Sequence, residues 1–244
     1  MGRLRRFVKR NSPAPFLRLI RLWNNREYNK LSTEQIFTRI YESGAWGKSN
    51  DLASPFYSGS GSRRDGEVAA YVQSVGSFLR SFEVKPDVVD LGCGDFTVGR
   101  QVRSFCNRYI ACDVVPSLIA FNQAQFKDLG VEFKVLDLVE NELPPGDIVF
   151  VRQVLQHLSN DQISKFIARV PLIYKFLVVT EHLPSQANFA HNLDKLTGPG
   201  TRMGHGSGIV LTSPPFNLRP KKVKQLCRVN SVNTGVLVTT LYRF

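Results

Sequence analysis

The chain has 244 residues, of which 43% are hydrophobic, 21% charged and 11% aromatic, which suits one sizeable α/β domain with appendages and excludes a disordered or fibrous protein. The formal charge of +12 is carried by the ends: residues 1–30 hold a net +8, residues 219–244 a net +6, and residues 31–218 a net −2, which excludes a polyanion-binding body by composition. Cys93, Cys106, Cys112 and Cys227 form no CxxC pair and no Cys/His cluster has zinc-ligand spacing, so free thiols and no metal are expected. No apolar run approaches the roughly 20 residues that span a bilayer, and no signal-peptide pattern follows the basic N-terminus, so a cytoplasmic protein is expected.

In chain order, Phe16, Leu19, Ile20 and Trp23 recur at helical spacing with Arg18 and Arg21 between them. This predicts a short basic amphipathic helix that either lies on an anionic membrane surface or packs on the domain. A second helix is predicted from Ser32, with Gln35 as its capping-box partner, Ile36, Phe37, Ile40 and Tyr41 facing inward, and a stop at Gly44. Residues 44–66 (GAWGKSNDLASPFYSGSGSRRDG) are Gly/Ser-rich yet carry Trp46, Phe56 and Tyr57. The aromatics favour a lid over a ligand rather than a plain linker.

A helix over 67–82 then leads into alternating strands and helices. Strands are predicted at 86–91, 108–113, 131–136, 147–152 and 176–181, with helices at 117–127 (Leu118, Phe121 and Phe126 on one side) and 161–170. Residues 184–222 lose all period, and the chain closes on VKQLCRV and TGVLVTTLYRF around SVNTG, an antiparallel hairpin. The fold class is α/β: a Rossmann-like, doubly wound and mostly parallel sheet with a C-terminal antiparallel hairpin and an N-terminal helical extension. Residues 1–66 are expected to form that extension and lid, and residues 67–244 the ligand-binding domain.

The chemistry centres on VVDLGCGDFTVG at 88–99. Gly92, Gly94 and Gly99 give GxGxxxxG in place of the dinucleotide GxGxxG, and Asp90 precedes the turn. A carboxylate there repels pyrophosphate and favours an ammonium group. Asp113 ends the next strand, where a carboxylate accepts ribose hydroxyls, and Asp137 is placed to accept from an adenine amino group. Three acids at successive strand ends suit a ligand with a ribose, an adenine and a cation but no phosphate, namely S-adenosylmethionine. With YIACD and VLDL downstream, the stretch resembles the cofactor-binding half of the class I S-adenosylmethionine-dependent methyltransferases, over residues 67–182 and the final hairpin. The resemblance implies that Asp90, Gly92 and Gly94 line the methionine part, Asp113 holds the ribose, and Asp137 with Leu138 flanks the adenine, with Cys93, Val114, Arg152 and Gln153 completing the cofactor site. GAWG, SGSGS, RQVLQHLSN, TEHLPS and LTSPPFNL look like a bacterial group of such enzymes, often found beside glycosyltransferases.

Methyl transfer from a sulfonium needs a base only when the nucleophile must lose a proton. The fourth and fifth strand ends offer His157, Glu181 and His182 as catalytic candidates, while His191, Asp194 and His205 in the irregular region can contact an acceptor. SPPF at 213–216 resembles the Pro-Pro-aromatic loop that grips a flipped base, but it follows the fifth strand and not the fourth. The expected acceptor is therefore a small molecule or a saccharide, methylated on oxygen, with peripheral contact to anionic membrane through residues 1–30. RNA or protein methylation, and a non-catalytic S-adenosylmethionine-binding module, are the alternatives.

Overall fold

The computed structural model describes residues 31–49, 54–231 and 235–244. The basic amphipathic segment expected within residues 1–30 lies outside them.

Helix α1 (Thr33–Ser43) forms as the sequence predicts. The Ser32 side chain accepts from the Gln35 amide, the Gln35 side chain returns to the Ser32 amide, and Gly44 ends the helix in a left-handed conformation at φ 62°. Both ends thereby satisfy backbone groups that the helix leaves unpaired. Ile36, Phe37 and Ile40 are buried, while Tyr41 is half-buried. Helix α2 (Asp65–Arg80) starts and stops two residues before the expected positions.

The sheet then builds in βα steps: β1 (Val88–Leu91), α3 (Gly99–Val102), β2 (Tyr109–Asp113), α4 (Pro116–Gln125), β3 (Glu132–Val135), β4 (Ile148–Arg152), α5 (Asn160–Ile173) and β5 (Phe176–Pro184). Two short strands, β6 (Ala190–His191) and β7 (Ser207–Gly208), pair in the irregular region, and β8 (Lys222–Ser231) and β9 (Gly235–Arg243) close the chain. The main sheet runs β3-β2-β1-β4-β5-β9-β8, with β9 antiparallel to both β5 and β8 and the other pairings parallel. The expected hairpin is thus present, and β5 is three residues longer than expected because β9 pairs along its whole length.

Alternation along the strands sorts two cores. Val88, Ile148, Phe150 and Val178 face Val68, Val75 and Leu79 of α2, whereas Val89, Leu91, Val149, Val151, Leu177 and Val179 face Ile36, Ile40, Leu118, Ile163 and Phe166. Fully burying such a side chain stabilises the fold by roughly 1.5–3 kcal/mol. On α4 the buried residues are Leu118, Ile119 and Asn122. Phe121 and Phe126 are only half-buried, since Phe121 turns to meet Phe56 at 5.5 Å between ring centroids. The strand order reverses between β1 and β4, and at such a switch point a crevice opens outside the carboxyl ends of the strands.

Candidate active site

A cavity of about 280 Å³ lies at that switch point. All ten residues expected on the cofactor side line it, together with His157 and His182.

The glycine turn forms its floor. Gly92 and Gly94 take φ +79° and +57°, and a Cβ on either would lie 2.3 Å from Val154 Cγ2 or 2.6 Å from Ser58 Oγ. Both conformation and space demand glycine. Asp90, at the end of β1, is 7% exposed and accepts from the Tyr109 hydroxyl at 2.9 Å. Asp113 accepts from the Gly94 amide at 3.1 Å and the Val115 amide at 3.2 Å. Burial raises both carboxyls to about 6, against the hydrogen bonds that hold them down. The Cys93 thiol is pushed up by the same burial and by Asp113 and Asp90, so it is a wall and not a nucleophile. Asp137 lies two residues beyond the end of β3, where its Oδ1 caps the Val139 amide at 2.8 Å. That leaves its other oxygen for a ligand.

Of the stretch at 44–66 expected to cover a ligand, Trp46 and Ser58–Ser62 line the cavity. Ser58 is its anchor: Oγ accepts from the Asp95 amide at 2.7 Å and meets the Tyr41 hydroxyl at 2.9 Å, and the Ser58 amide donates to Asp95 Oδ2 at 3.3 Å. Arg63 pairs with the same Asp95 oxygen at 2.9 Å. Trp46 donates to the Pro199 carbonyl at 3.1 Å and meets the His157 ring at 4.9 Å.

The far wall comes from β4 and β5. Arg152 donates to the Gly61 carbonyl at 2.8 Å. Gln153 sits at φ 57°, its amide donating to the Thr180 carbonyl at 2.7 Å. A left-handed non-glycine residue costs about 1–2 kcal/mol and points to function where it persists. His157 is 8% exposed, and burial together with nearby Lys195 lowers its imidazole to about 3, so the ring is uncharged at neutral pH. His182 is half-buried, its pKa likewise lowered by burial.

Glu181 is placed elsewhere than expected. Its two carboxylate oxygens accept from the Leu155 and Gln156 amides, each at 3.1 Å, and it does not line the cavity. Burial raises its carboxyl to about 8. Arg202, 1% exposed, grips the same turn from its carbonyls, donating to Leu155 O at 3.2 Å, Leu158 O at 2.9 Å and Leu193 O at 2.9 Å, and to Asn160 Oδ1 at 2.8 Å. Glu181 and Arg202 therefore fix the turn that presents Gln156 and His157. His191, Asp194 and His205 do not line the cavity: His191 meets Ser213 at 2.8 Å and Asp194 caps the Asn160 amide at 2.8 Å. SPPF thus packs against His191 and stands apart from the site.

Sequence reasoning missed Tyr41, Ser58, Tyr71, Tyr109 and Gln156, all cavity residues. Of these only Ser58 had a signal, its place in the aromatic-studded Gly/Ser stretch.

The cavity fits the ligand the glycine turn calls for. Four carboxylates line it (Asp90, Asp95, Asp113 and Asp137), which favours a cation. Of eight buried side-chain polar atoms without a partner among the described residues, five belong to its walls: Arg152 Nε, Gln153 Nε2, Gln156 Oε1, His157 Nδ1 and His182 Nε2. A polar ligand at this place satisfies them. Among the described residues no group of three His, Cys, Asp or Glu is arranged for a metal ion, and no helix is long and apolar enough to cross a membrane.

Residues 88–175 match a family model described as a methyltransferase domain. The fold is similar to that of the N-methyltransferase NodS from Bradyrhizobium japonicum WM9, solved with S-adenosyl-L-homocysteine, at 18% identity and a TM-score of 0.59 over 84% of this chain and 98% of that one. It is also similar to magnesium protoporphyrin IX methyltransferase from Synechocystis PCC 6803 with bound SAM, at 14% identity and TM-score 0.56 over 88% and 98% of the two chains. Human N-acetylserotonin methyltransferase shares the fold at 16% identity and TM-score 0.50 over 90% and 61%. A search of curated protein sequences gave no match. The match over β1 to the end of α5 gives the chain a methyltransferase domain there, and the strand order and the cavity at the switch point are those of the fold it shares with methyltransferases solved with S-adenosylmethionine or S-adenosylhomocysteine.

Proposed function

We propose that the enzyme methylates an oxygen of a small molecule or saccharide. When bound, S-adenosylmethionine supplies an electrophilic methyl on a sulfonium. Asp90 would face its ammonium end, Asp113, which accepts from the Gly94 and Val115 amides, would accept from its ribose hydroxyls, and Asp137 and Leu138 would flank its adenine. Val114, Cys93 and the two glycines shape the bed between.

The acceptor then enters from the side of β4 and β5. The observation that carries the reading is His157: an uncharged imidazole with Nδ1 unpartnered, in the cavity wall against Trp46 and Phe37. At about 3 it is too weak a base to hold a proton at neutral pH, so it orients a hydroxyl by accepting its hydrogen bond. Positioning of that kind can supply much of the rate for an in-line displacement. His182 presents a second unpartnered ring nitrogen from β5; it takes the hydroxyl proton as the oxygen–methyl bond forms and the sulfonium–methyl bond breaks, while Glu181 acts from behind, through the turn. A narrow, walled cavity suits a small acceptor better than a nucleic-acid backbone, and the net +14 of the two termini leaves the cavity itself acidic. Two of the similar structures are named for small acceptors, a magnesium porphyrin and N-acetylserotonin, which agree with that scale.

The test is label transfer from methyl-tritiated S-adenosylmethionine to fractionated cell extract by the full chain. Label in the small-molecule or saccharide fraction, lost with His157→Ala, supports the reading. Label in RNA or protein overturns it.

A further inference from the structure

The cavity lies at the carboxyl ends of the parallel strands, so the start of β5 stands at the opposite end of the sheet. There Phe176 pairs with Arg243 and Arg243 with Lys222, the Lys221 amide donates to the Arg243 carbonyl at 2.8 Å, and the Phe244 amide donates to the Lys175 carbonyl at 3.0 Å. Lys175, Arg243, Lys221 and Lys222 therefore form one row across β5, β9 and β8, with Lys224 farther along β8 at the sheet edge. Lys175 pairs with Asp147 at 3.0 Å. Lys221, Lys222, Lys224 and Arg243 are all exposed and have no ion-pair partner among the described residues.

The two most exposed large apolar side chains among the described residues flank this row, Leu172 at 84% and Val84 at 80%. Leu172 lies in the last turn of α5, just before Lys175, on the face of the sheet that Ile163 and Phe166 cover. Val84 follows Phe82, whose ring meets that of Phe176 at 5.6 Å on the other face, that of α2. Val223, also exposed, stands between Lys222 and Lys224. Lysines along an edge strand keep it from pairing with another sheet. That accounts for Lys222 and Lys224, but not for Lys175 and Arg243 on inner strands, nor for Leu172 and Val84 in water. A polyanion such as RNA rewards the cations alone. An anionic bilayer rewards both, the cations at its headgroups and the apolar side chains at the acyl boundary.

We propose that this end of the sheet docks the protein on an anionic lipid membrane, with Lys175, Lys221, Lys222, Lys224 and Arg243 at the headgroups and Leu172, Val84 and Val223 below them. The surface is separate from residues 1–30 and independent of which acceptor is methylated. The nine residues of β5 set the cavity about 30 Å from the docked end, so the cavity faces away from the bilayer.

Cosedimentation of the full chain with vesicles of phosphatidylcholine alone, and of phosphatidylcholine and phosphatidylglycerol in equal parts, tests the proposal. The chain is expected to sediment with the mixed vesicles and not with phosphatidylcholine. Lys222→Glu/Lys224→Glu is expected to weaken that binding about 10-fold or more, and Val84→Ser/Leu172→Ser by about 10-fold through lost apolar burial. All four side chains are exposed, so both variants are expected to melt with the wild type and to bind S-adenosylhomocysteine as it does. A chain that ignores the mixed vesicles, or a Lys222→Glu/Lys224→Glu variant that sediments as the wild type does, overturns the proposal; the second result places membrane binding elsewhere in the chain. If Val84→Ser/Leu172→Ser sediments as the wild type does while Lys222→Glu/Lys224→Glu also loses binding to bulk RNA, the surface is a polyanion site and the membrane assignment falls.

Discussion

Gly92→Ala tests the geometry of the donor turn with a magnitude that divides into two parts. At φ +79° a side chain costs about 1–2 kcal/mol through its clash with its own backbone. The new methyl would also lie 2.3 Å from Val154 Cγ2 and 3.3 Å from Cγ1, and relieving such overpacking costs about 1–3 kcal/mol. The total is about 2–5 kcal/mol, and at roughly 2–4 °C per kcal/mol for a chain of this size the Tm falls by about 4–20 °C. Val154→Ala removes the methyls but leaves φ untouched. In that background Gly92→Ala is expected to cost only the backbone part, about 1–2 kcal/mol. Thermal unfolding of the four proteins, followed by circular dichroism at one pH and concentration, reads both parts. A Gly92→Ala protein that melts with the wild type refutes the close approach of glycine turn and β4 loop. A cost undiminished by Val154→Ala refutes the assignment of half of it to Val154.

Two further outcomes follow from the buried charges. Arg202→Met strands the Leu155, Leu158 and Leu193 carbonyls, each a buried acceptor that costs about 1–3 kcal/mol when left unpaired, so a loss of about 3–5 kcal/mol is expected in denaturant unfolding; a loss under about 1 kcal/mol contradicts the grip described for the turn. Asp90 and Asp113 ionise near 3.8 when unfolded and near 6 when folded, so the folded chain holds more protons between those values and the free protein loses stability as pH rises through that window. Glu181, raised from 4.5 to about 8, extends the same slope upward. Affinity for S-adenosylhomocysteine moves oppositely, rising as Asp113 ionises through pH 6, and Asp113→Asn is expected to flatten that rise; stability that climbs from pH 4 to 6 contradicts the assignment.

What the sequence disclosed was what local pattern determines. Ser32, Gln35 and Gly44 announce α1 because caps act within one turn of chain, and the βα alternation announces the sheet because strand and helix periods differ. The glycines at 92 and 94 and the acids at 90, 113 and 137 come together in one cavity because strand ends of a βα sheet meet at its switch point. Glu181 was misread because an acid at a strand end looks the same whether it faces the cavity or, as here, two backbone amides behind it. Arg202 gave no signal, since it lies in a stretch without period and acts on residues more than 40 positions away. The left-handed turn at Gln153 and the Ser58 anchor on Asp95 are likewise products of tertiary contact. His191, Asp194 and SPPF were plausible by residue type alone, and the fold turns them toward one another and not toward the cavity.

The central claim is that the cavity binds the adenosyl donor through Asp113. Isothermal titration of the full chain with S-adenosylhomocysteine tests it directly. One-to-one binding is expected, weakened about 10- to 100-fold in Asp113→Asn, the value of a charged hydrogen bond lost to the ribose. A folded wild-type chain that gives no binding, or an Asp113→Asn variant that binds as tightly as wild type, contradicts the account.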